Sequence, residues 1–331
     1  MLCDIEAPRP GRRFSRPFTG ISQSWPMTSA AARPRLKRPA LRTLVALIVI
    51  GIFAVEADTA PVRAGSGSSE VLAAPYAAYV QHDYATEAKL LRPLAEQGSA
   101  TAQALLGFMF GHGQGLQQDS VEALRWYRKA AEQGDAGAQS NLGLLYVQGR
   151  GTPQDFGEAI KWFRKSADQG LAFGQDNLGA MYARGLGVPQ DYAEATNWYR
   201  KAAEQGYPVA QFNLGQRYSK GQGVPQDDAE AVKWFRKAAD QGDAPGQLAL
   251  GVAYMGGQGV SKDYVQAYMW VNLAIAGGFK RAEEIRDSLR ELITPVQVSE
   301  AEQRAAAWRP APSPREFEPP LLWFTLPRSA R

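Results

Sequence analysis

The stretch Ala210–Gly242, AQFNLGQRYSKGQGVPQDDAEAVKWFRKAADQG, decides the fold, because the chain repeats it. Leu-Gly recurs at Leu106-Gly107, Leu142-Gly143, Leu178-Gly179, Leu214-Gly215 and Leu250-Gly251, each pair 36 residues after the last. Trp126, Trp162, Trp198, Trp234 and Trp270 keep that step, as do Gly115, Gly151, Gly187, Gly223 and Gly259. Asp119, Asp155, Asp191, Asp227 and Asp263 form a further register, and Ala123, Ala159, Ala195, Ala231 and Ala267 another. Registers locked at one short spacing are the signature of a stacked repeat protein, in which each unit buries its apolar face against its neighbours.

Each unit reads as two helices. In the first, Leu106 and Phe110 and their copies, including Tyr146, Tyr182, Tyr218 and Tyr254, fall four apart on one face with a glycine between them. Glycine inside a helix costs about 1 kcal/mol relative to alanine, so five in one register call for close approach of the Trp-bearing helix. The connector has the form GxG followed by aspartate, with Pro153, Pro189 and Pro225 ahead of it in the central units. Glycine permits positive φ at a helix end, and proline resists further helix. The aspartate caps the second helix, and Glu122, Glu158, Glu194, Glu230 or Gln266 three residues on completes a capping-box pattern. In that helix Ala123, Trp126 or Tyr127, and Ala130 make the buried stripe, while Arg128, Lys129 and their copies face water. Gly107, Trp126, Gly143, Trp162, Gly179, Trp198, Gly215, Trp234, Gly251 and Trp270 are accordingly structural.

The ends differ. Pro75–Gln97 resembles the second helix of a unit that has lost its first, with Leu90, Leu91 and Ala95 standing where Trp126, Tyr127 and Ala131 stand later. The fifth unit carries Met269, Asn272 and Leu273 where earlier copies carry mostly Lys or Arg, so something must cover it. Lys280–Ile293 is amphipathic, and Thr294-Pro295 starts a helix running to about Trp308. The expected layout is 1–57 basic N-terminus and signal peptide, 58–74 linker and 75–98 N-terminal capping helix. Five repeats follow at 99–278, then capping helices at 279–308 and a Pro-rich disordered tail at 309–331.

The net charge of +4 belongs to the N-terminus. Residues 1–57 hold nine Lys or Arg and three Asp or Glu; 37 less nine leaves 28 basic residues, 33 less three leaves 30 acidic, a net of about −2. The body therefore makes no electrostatic case for nucleic acid. Arg33, Arg35, Lys37, Arg38 and Arg42 precede the apolar run Leu44–Val55, which has the length of a signal-peptide core. Cleavage after Ala57 or Ala64 would give a periplasmic or secreted chain; the alternative is an inner-membrane anchor through residues 41–57. Met27 would start a more ordinary signal sequence than Met1. Cys3, the only cysteine, precedes the apolar run, so the mature chain would have no disulfide or thiolate metal site.

The unit is similar to that of the Sel-1-like repeat family, relatives of the tetratricopeptide solenoids, with the pattern A-x-x-x-L-G-x-x-Y-x-x-G-x-G-V-x-x-D-x-x-x-A-x-x-W-[YF]-x-K-A-A-x-x-G. The resemblance covers about Pro75–Trp308, and the T-P-x-Q-V-x-x-A segment Thr294–Ala301 also looks like the closing helix of many bacterial members. What the resemblance implies is an all-α, right-handed α/α superhelical solenoid of five 36-residue helix-turn-helix repeats with N- and C-terminal capping helices. It further implies an adaptor for protein contacts, often in envelope regulation, polysaccharide export or stress signalling.

Function is expected where copies differ on a shared geometry. Four first-helix registers do so: Thr101, Gly137, Phe173, Val209, Pro245; Ala104, Ser140, Asp176, Phe212, Leu248; Phe108, Leu144, Ala180, Gln216, Val252; and His112, Gln148, Arg184, Lys220, Gly256. Offsets of three, four and four put them on one stripe, which in tetratricopeptide-like solenoids lines the concave surface. Phe173, Asp176, Arg184, Phe212, Gln216 and Lys220 suit a partner peptide or helix laid in a groove; the competing account is drift at positions free of packing constraint. A non-catalytic scaffold of the cell envelope is the expected function, with a glycan-binding solenoid as the alternative. Two histidines, His82 and His112, and no nucleophile motif give little from which to assemble a catalytic triad or metal site, and no cofactor is expected. Gly111-His112-Gly113-Gln114-Gly115 follows a helix rather than a strand, so it is not a phosphate loop. Leu321-Leu322-Trp323-Phe324 is an apolar segment in the Pro-rich tail, suited to dock into a groove or to pack on the last helix.

Overall fold

In a computed structural model of the chain, residues 71–311 are described. They form fourteen α-helices and no strand. Ahead of the repeats stand α1 (Ala73–Val80) and α2 (Tyr84–Glu96). The repeats follow as the pairs α3 (Ala100–His112) and α4 (Ser120–Glu132), α5 (Ala136–Gln148) and α6 (Phe156–Asp168), and α7 (Ala172–Arg184) and α8 (Tyr192–Glu204). The last two pairs are α9 (Pro208–Lys220) with α10 (Asp228–Asp240) and α11 (Ala244–Gly256) with α12 (Tyr264–Ala276). A 3₁₀ turn at Lys280–Ala282, α13 (Glu283–Arg290) and α14 (Pro295–Ala307) close the stack. The expected signal segment, the expected linker up to residue 70 and the tail from residue 312 lie outside the described residues.

The glycine within each first helix answers to one ring. A Cβ on Gly107 would stand 2.8 Å from Tyr127, on Gly143 2.7 Å from Phe163, on Gly179 2.9 Å from Tyr199, and on Gly215 2.6 Å from Phe235. The close neighbour is therefore on the Trp-bearing helix, as the sequence requires, but it is the residue after the tryptophan. In the fifth repeat Val271 takes the place of the ring.

The GxG connector does more than turn the chain. Its first glycine ends the first helix in the left-handed region, as at Gly149 with φ 64°. The second packs on the backbone of the preceding repeat: a Cβ on Gly151 would lie 2.2 Å from the Ser120 carbonyl oxygen, and one on Gly223 2.0 Å from that of Tyr192. Any side chain there would push successive repeats apart, so this glycine sets how closely they stack.

Asp119, Asp155, Asp191, Asp227 and Asp263 each accept the N3 backbone N–H of the second helix, at 2.9 to 3.1 Å. The reciprocal half of the expected capping box does not form at these helices. Glu122 and Glu194 instead accept from the indole N–H of Trp126 (3.1 Å) and Trp198 (2.8 Å), and Glu158 and Glu230 pair with Lys161 and Lys233. The N-cap amides are already committed: those of Asp119, Asp155, Asp191, Asp227 and Asp263 donate to the carbonyls of Phe110, Tyr146, Tyr182, Tyr218 and Tyr254 at 2.9 to 3.0 Å. The complete capping box is at Thr294 and Gln297, opening α14.

Two polar ladders bind the stack, and neither is apparent from helix periodicity alone. Gln133, Gln169, Gln205 and Gln241 donate through Nε2 to Oε1 of Gln103, Gln139, Gln175 and Gln211 at 2.7 to 2.8 Å. The acceptors donate in turn to the Ala95, Ala131, Ala167 and Ala203 carbonyls of the preceding second helix. Each glutamine pair thus ties three successive helices, and each buried bond contributes about 1 kcal/mol. The second ladder runs from Arg128 to the Tyr146 hydroxyl (2.7 Å) and from Arg200 to that of Tyr218 (3.1 Å), with Arg164–Tyr182 and Arg236–Tyr254 in the same register. The expectation that these arginines simply face water is thereby corrected: each reaches the first helix of the next repeat.

The ends show how a stack stops. The N-terminal segment holds two helices rather than the single one expected. His82, at φ 58°, breaks the chain and Asp83, which continues the aspartate register, caps α2. At the other end Leu273 replaces the lysine that elsewhere lies over the tryptophan ring, and Trp308, just past α14, meets Trp270 edge-on at 6.2 Å. Val298 and Ala301 of α14 and Leu289 of α13 are buried against this last repeat.

Candidate interaction face

First helices of neighbouring repeats touch one another, as α3 does α5, α5 does α7 and α9 does α11, in addition to packing on their own second helices. That mutual approach makes the first-helix side the inner side of the stack. The four variable registers do not share one environment there. The register of Phe108, Leu144, Ala180, Gln216 and Val252 is half-buried throughout. The register of Ser140, Asp176, Phe212 and Leu248 is buried beyond the first repeat, because it turns toward the adjoining helices.

A groove of about 320 Å³ opens on the inner side between α3, α5 and the start of α7. Phe108 and Leu144 line it, Thr101 and Gly137 stand at the helix starts, Asn141, Asp135 and His112 are polar groups of its lining, and Phe173 borders it from α7. It exists because Ala104 and Gly137 are small where later repeats carry larger side chains. Burial holds the carboxyl of Asp135 above the usual carboxylate range, opposed by its acceptance of the Ala138 backbone N–H at 2.7 Å. His112 stacks on Phe108 with ring centroids 4.1 Å apart, and its Nδ1 lies 2.9 Å from the Phe108 carbonyl oxygen.

Of the six residues singled out from the sequence, Phe173 alone lines this groove. It meets Tyr207 edge-on at 6.4 Å. Phe212 is 1% exposed and packs on Phe235 at 6.0 Å; Asp176 is 7% exposed and accepts from Asn213 Nδ2 at 2.9 Å. The expectation that these two face an open surface is corrected: Asn213 of α9 covers Asp176 of α7, and Phe212 fills the next gap. Burial pushes the Asp176 carboxyl up to about 7 and that of Asp243 to about 6, and it pushes the Tyr207 phenol above its ordinary value too. Gln216 is half-buried. Arg184 and Lys220 are exposed at the C-terminal ends of α7 and α9, away from the helix starts that open the groove.

Sequence reasoning placed Phe108, Leu144, Thr101 and Gly137 in the right registers without choosing them. The usable signal was a large apolar residue in one register beside a small one in the next. Four of the repeat tryptophans are covered by a lysine. Lys129, Lys165, Lys201 and Lys237 lie 3.9 to 4.6 Å from the ring centroids of Trp126, Trp162, Trp198 and Trp234, each three residues earlier. Among the described residues no group of three or more His, Cys, Asp or Glu could hold a metal ion, and no helix is long and apolar enough to cross a membrane.

The family model for the Sel1 repeat matches residues 100–135, 136–171, 172–207, 208–243 and 244–279. Among solved structures the chain is similar to a Sel1 repeat protein from Oxalobacter formigenes, 32% identical over 72% of this chain and 97% of that one, with a TM-score of 0.62. It is also similar to a protective antigen present in uropathogenic Escherichia coli strains and displaying an SLR fold. That antigen is 36% identical over 72% of this chain and 53% of its own length, with a TM-score of 0.61, so this chain spans about half of it. No curated protein matches.

Proposed function

The chain belongs to the Sel1 repeat family, whose members are generally non-enzymatic protein-interaction scaffolds, and from that premise we propose a non-catalytic scaffold or regulator of the bacterial cell envelope. Its partner is a peptide or helix that lays one or two large apolar side chains on the inner face. The observation that carries this is the groove between α3, α5 and α7, whose about 320 Å³ stands at the small end of ligand-sized pockets and suits a side-chain anchor. Burial of Asp176 and Phe212 moves the expected contact toward the first two repeats, with Phe173 as its edge. Arg184, Gln216 and Lys220 belong to the flanking surface that such a partner would cross.

A photo-crosslinking amino acid placed at Phe108 tests this against one at the exposed outer position Arg125. Adducts at the Phe108 position that disappear with Leu144→Glu are expected; adducts of equal yield at both positions, insensitive to Leu144→Glu, would overturn it. Placement in the envelope rests on the apolar run Leu44–Val55 behind its arginines. Mature chains starting after Ala57 or Ala64 are expected on N-terminal sequencing, and an intact Met1 or Met27 would refute cleavage.

A further inference from the structure

We propose that the groove is occupied, in the absence of a partner, by the chain's own C-terminal segment Leu321–Phe324. This rests on the groove being the interaction site, and it names the segment that competes with a partner there.

Where the described chain ends points that way. After α14 the chain turns back over the α10–α11 connector. The Ala311 backbone N–H donates to the Asp240 carbonyl at 2.7 Å, and a Cβ on Gly242 would lie 3.7 Å from Trp308 and 3.8 Å from Pro310. By the 36-residue period, Asp240–Asp243 is the copy of Glu132–Asp135, which enters the groove at Asp135. Ala311 therefore lies at the edge on which the groove opens, three repeats away and beside the fourth repeat.

The reach matches. Packed helices stand about 8–10 Å apart, so three repeats span roughly 30 Å. Residues 311 to 322 are eleven steps, and prolines at 312, 314, 319 and 320 favour an extended course of about 3.1 Å per residue, or roughly 34 Å. The chemistry matches as well. Leu321-Leu322-Trp323-Phe324 carries no charge and would meet Phe108, Leu144 and Phe173, while the Asp135 carboxyl in the same lining already accepts the Ala138 backbone N–H. Self-docking also benefits from effective concentration, since a tether whose length matches the span holds its ligand at about millimolar concentration.

The test uses the full chain with Cys3→Ser and one of two cysteine pairs: Thr101→Cys with Thr325→Cys, or Val121→Cys with Thr325→Cys. Val121 is exposed on α4 and stands for the outer surface. With a short bismaleimide, intramolecular crosslinking is expected at least tenfold faster for the first pair, and Leu322→Ser with Phe324→Ser should abolish that advantage. Those two substitutions should also raise Phe108 photo-adducts with the partner several-fold. Equal rates for the two pairs would overturn self-docking, and a product of twice the mass would reassign the segment to a second copy. If partner adducts persist while the cysteine pairs show no preference, self-docking falls and the groove stands; if both fail, the groove falls with it.

Discussion

Two parts of the inner face use one backbone to opposite ends. Between the first and third repeats, Ala104 and Gly137 leave space, and a groove opens with Phe108 and Leu144 along it. At the junction of the third and fourth, the Ala104 register carries Asp176 and Phe212 and the Gly137 register Phe173 and Val209; the junction is filled, with Asn213 bonded to the acid and Tyr207 set against Phe173. Even the helix starts differ. Asp135 caps α5 with its side chain, whereas Leu171 and Tyr207 begin α7 and α9 with no side-chain cap. The repeated residues fix where the helices lie, and the volume of the unrepeated ones decides whether the space between them is open. A solenoid can thus carry a site in one stretch and a sealed joint in the next with no change of frame.

The largest test of that contrast is to truncate one phenylalanine on each side. Phe212→Ala empties a packed interior and is expected to cost about 3–5 kcal/mol. Phe108→Ala, whose ring already touches water, should cost under about 1.5 kcal/mol. Urea unfolding followed by circular dichroism measures both, and equal losses would show that the two stretches are packed alike.

A smaller effect sharpens the comparison through pH. The folded-state pKa of Asp176 is raised to about 7 by burial, while the unfolded chain titrates near the ordinary 3.8. Between those values the folded state holds a proton that the unfolded state releases. Stability contributed by the protonated acid is therefore full below about pH 4 and lost as pH rises toward 7. Asp243, raised to about 6, acts in the same direction over a narrower window. Asp176→Asn should flatten part of the decline in Tm between pH 5 and 7, the remainder coming from Asp243 and from Glu87, whose carboxyl burial also raises to about 7. An unaltered profile would mean that the joint opens to water, as the groove does.

The smallest effect should not distinguish the two stretches. Gln133→Ala and Gln205→Ala each leave a buried glutamine carbonyl unpaired, at Gln103 and Gln175, for a loss of about 1–2 kcal/mol. Equal losses would place the glutamine ladder in the common frame; a larger loss at Gln205 would tie it to the sealed joint.

The frame was legible before the coordinates because every copy of a repeat must satisfy the same contacts, so period 36 exposes them. Leucine, glycine and tryptophan gave the helix pair, aspartate gave the caps, and Thr294-Pro295 gave the closing helix. The glutamines at 103 and 133 also keep that period, but periodicity does not tell which carbonyl an amide will find. The candidate site was legible only as registers. Helix angle puts residues 101, 104, 108 and 112 on one stripe, yet it cannot say how far the neighbouring first helix covers one edge of it.

What the sequence determined by itself is therefore the set and order of the repeat helices, since local propensity and a strict period decide both. The tertiary structure alone decided that Glu122 abandons its N-cap for Trp126, that Gly151 rests on the Ser120 carbonyl, and that Asp176 and Phe212 are interior while Phe108 and Leu144 border a groove. Burial and partnership depend on the separation of successive helices and on the volume of side chains 30 or more residues away, and neither is a property of any one repeat.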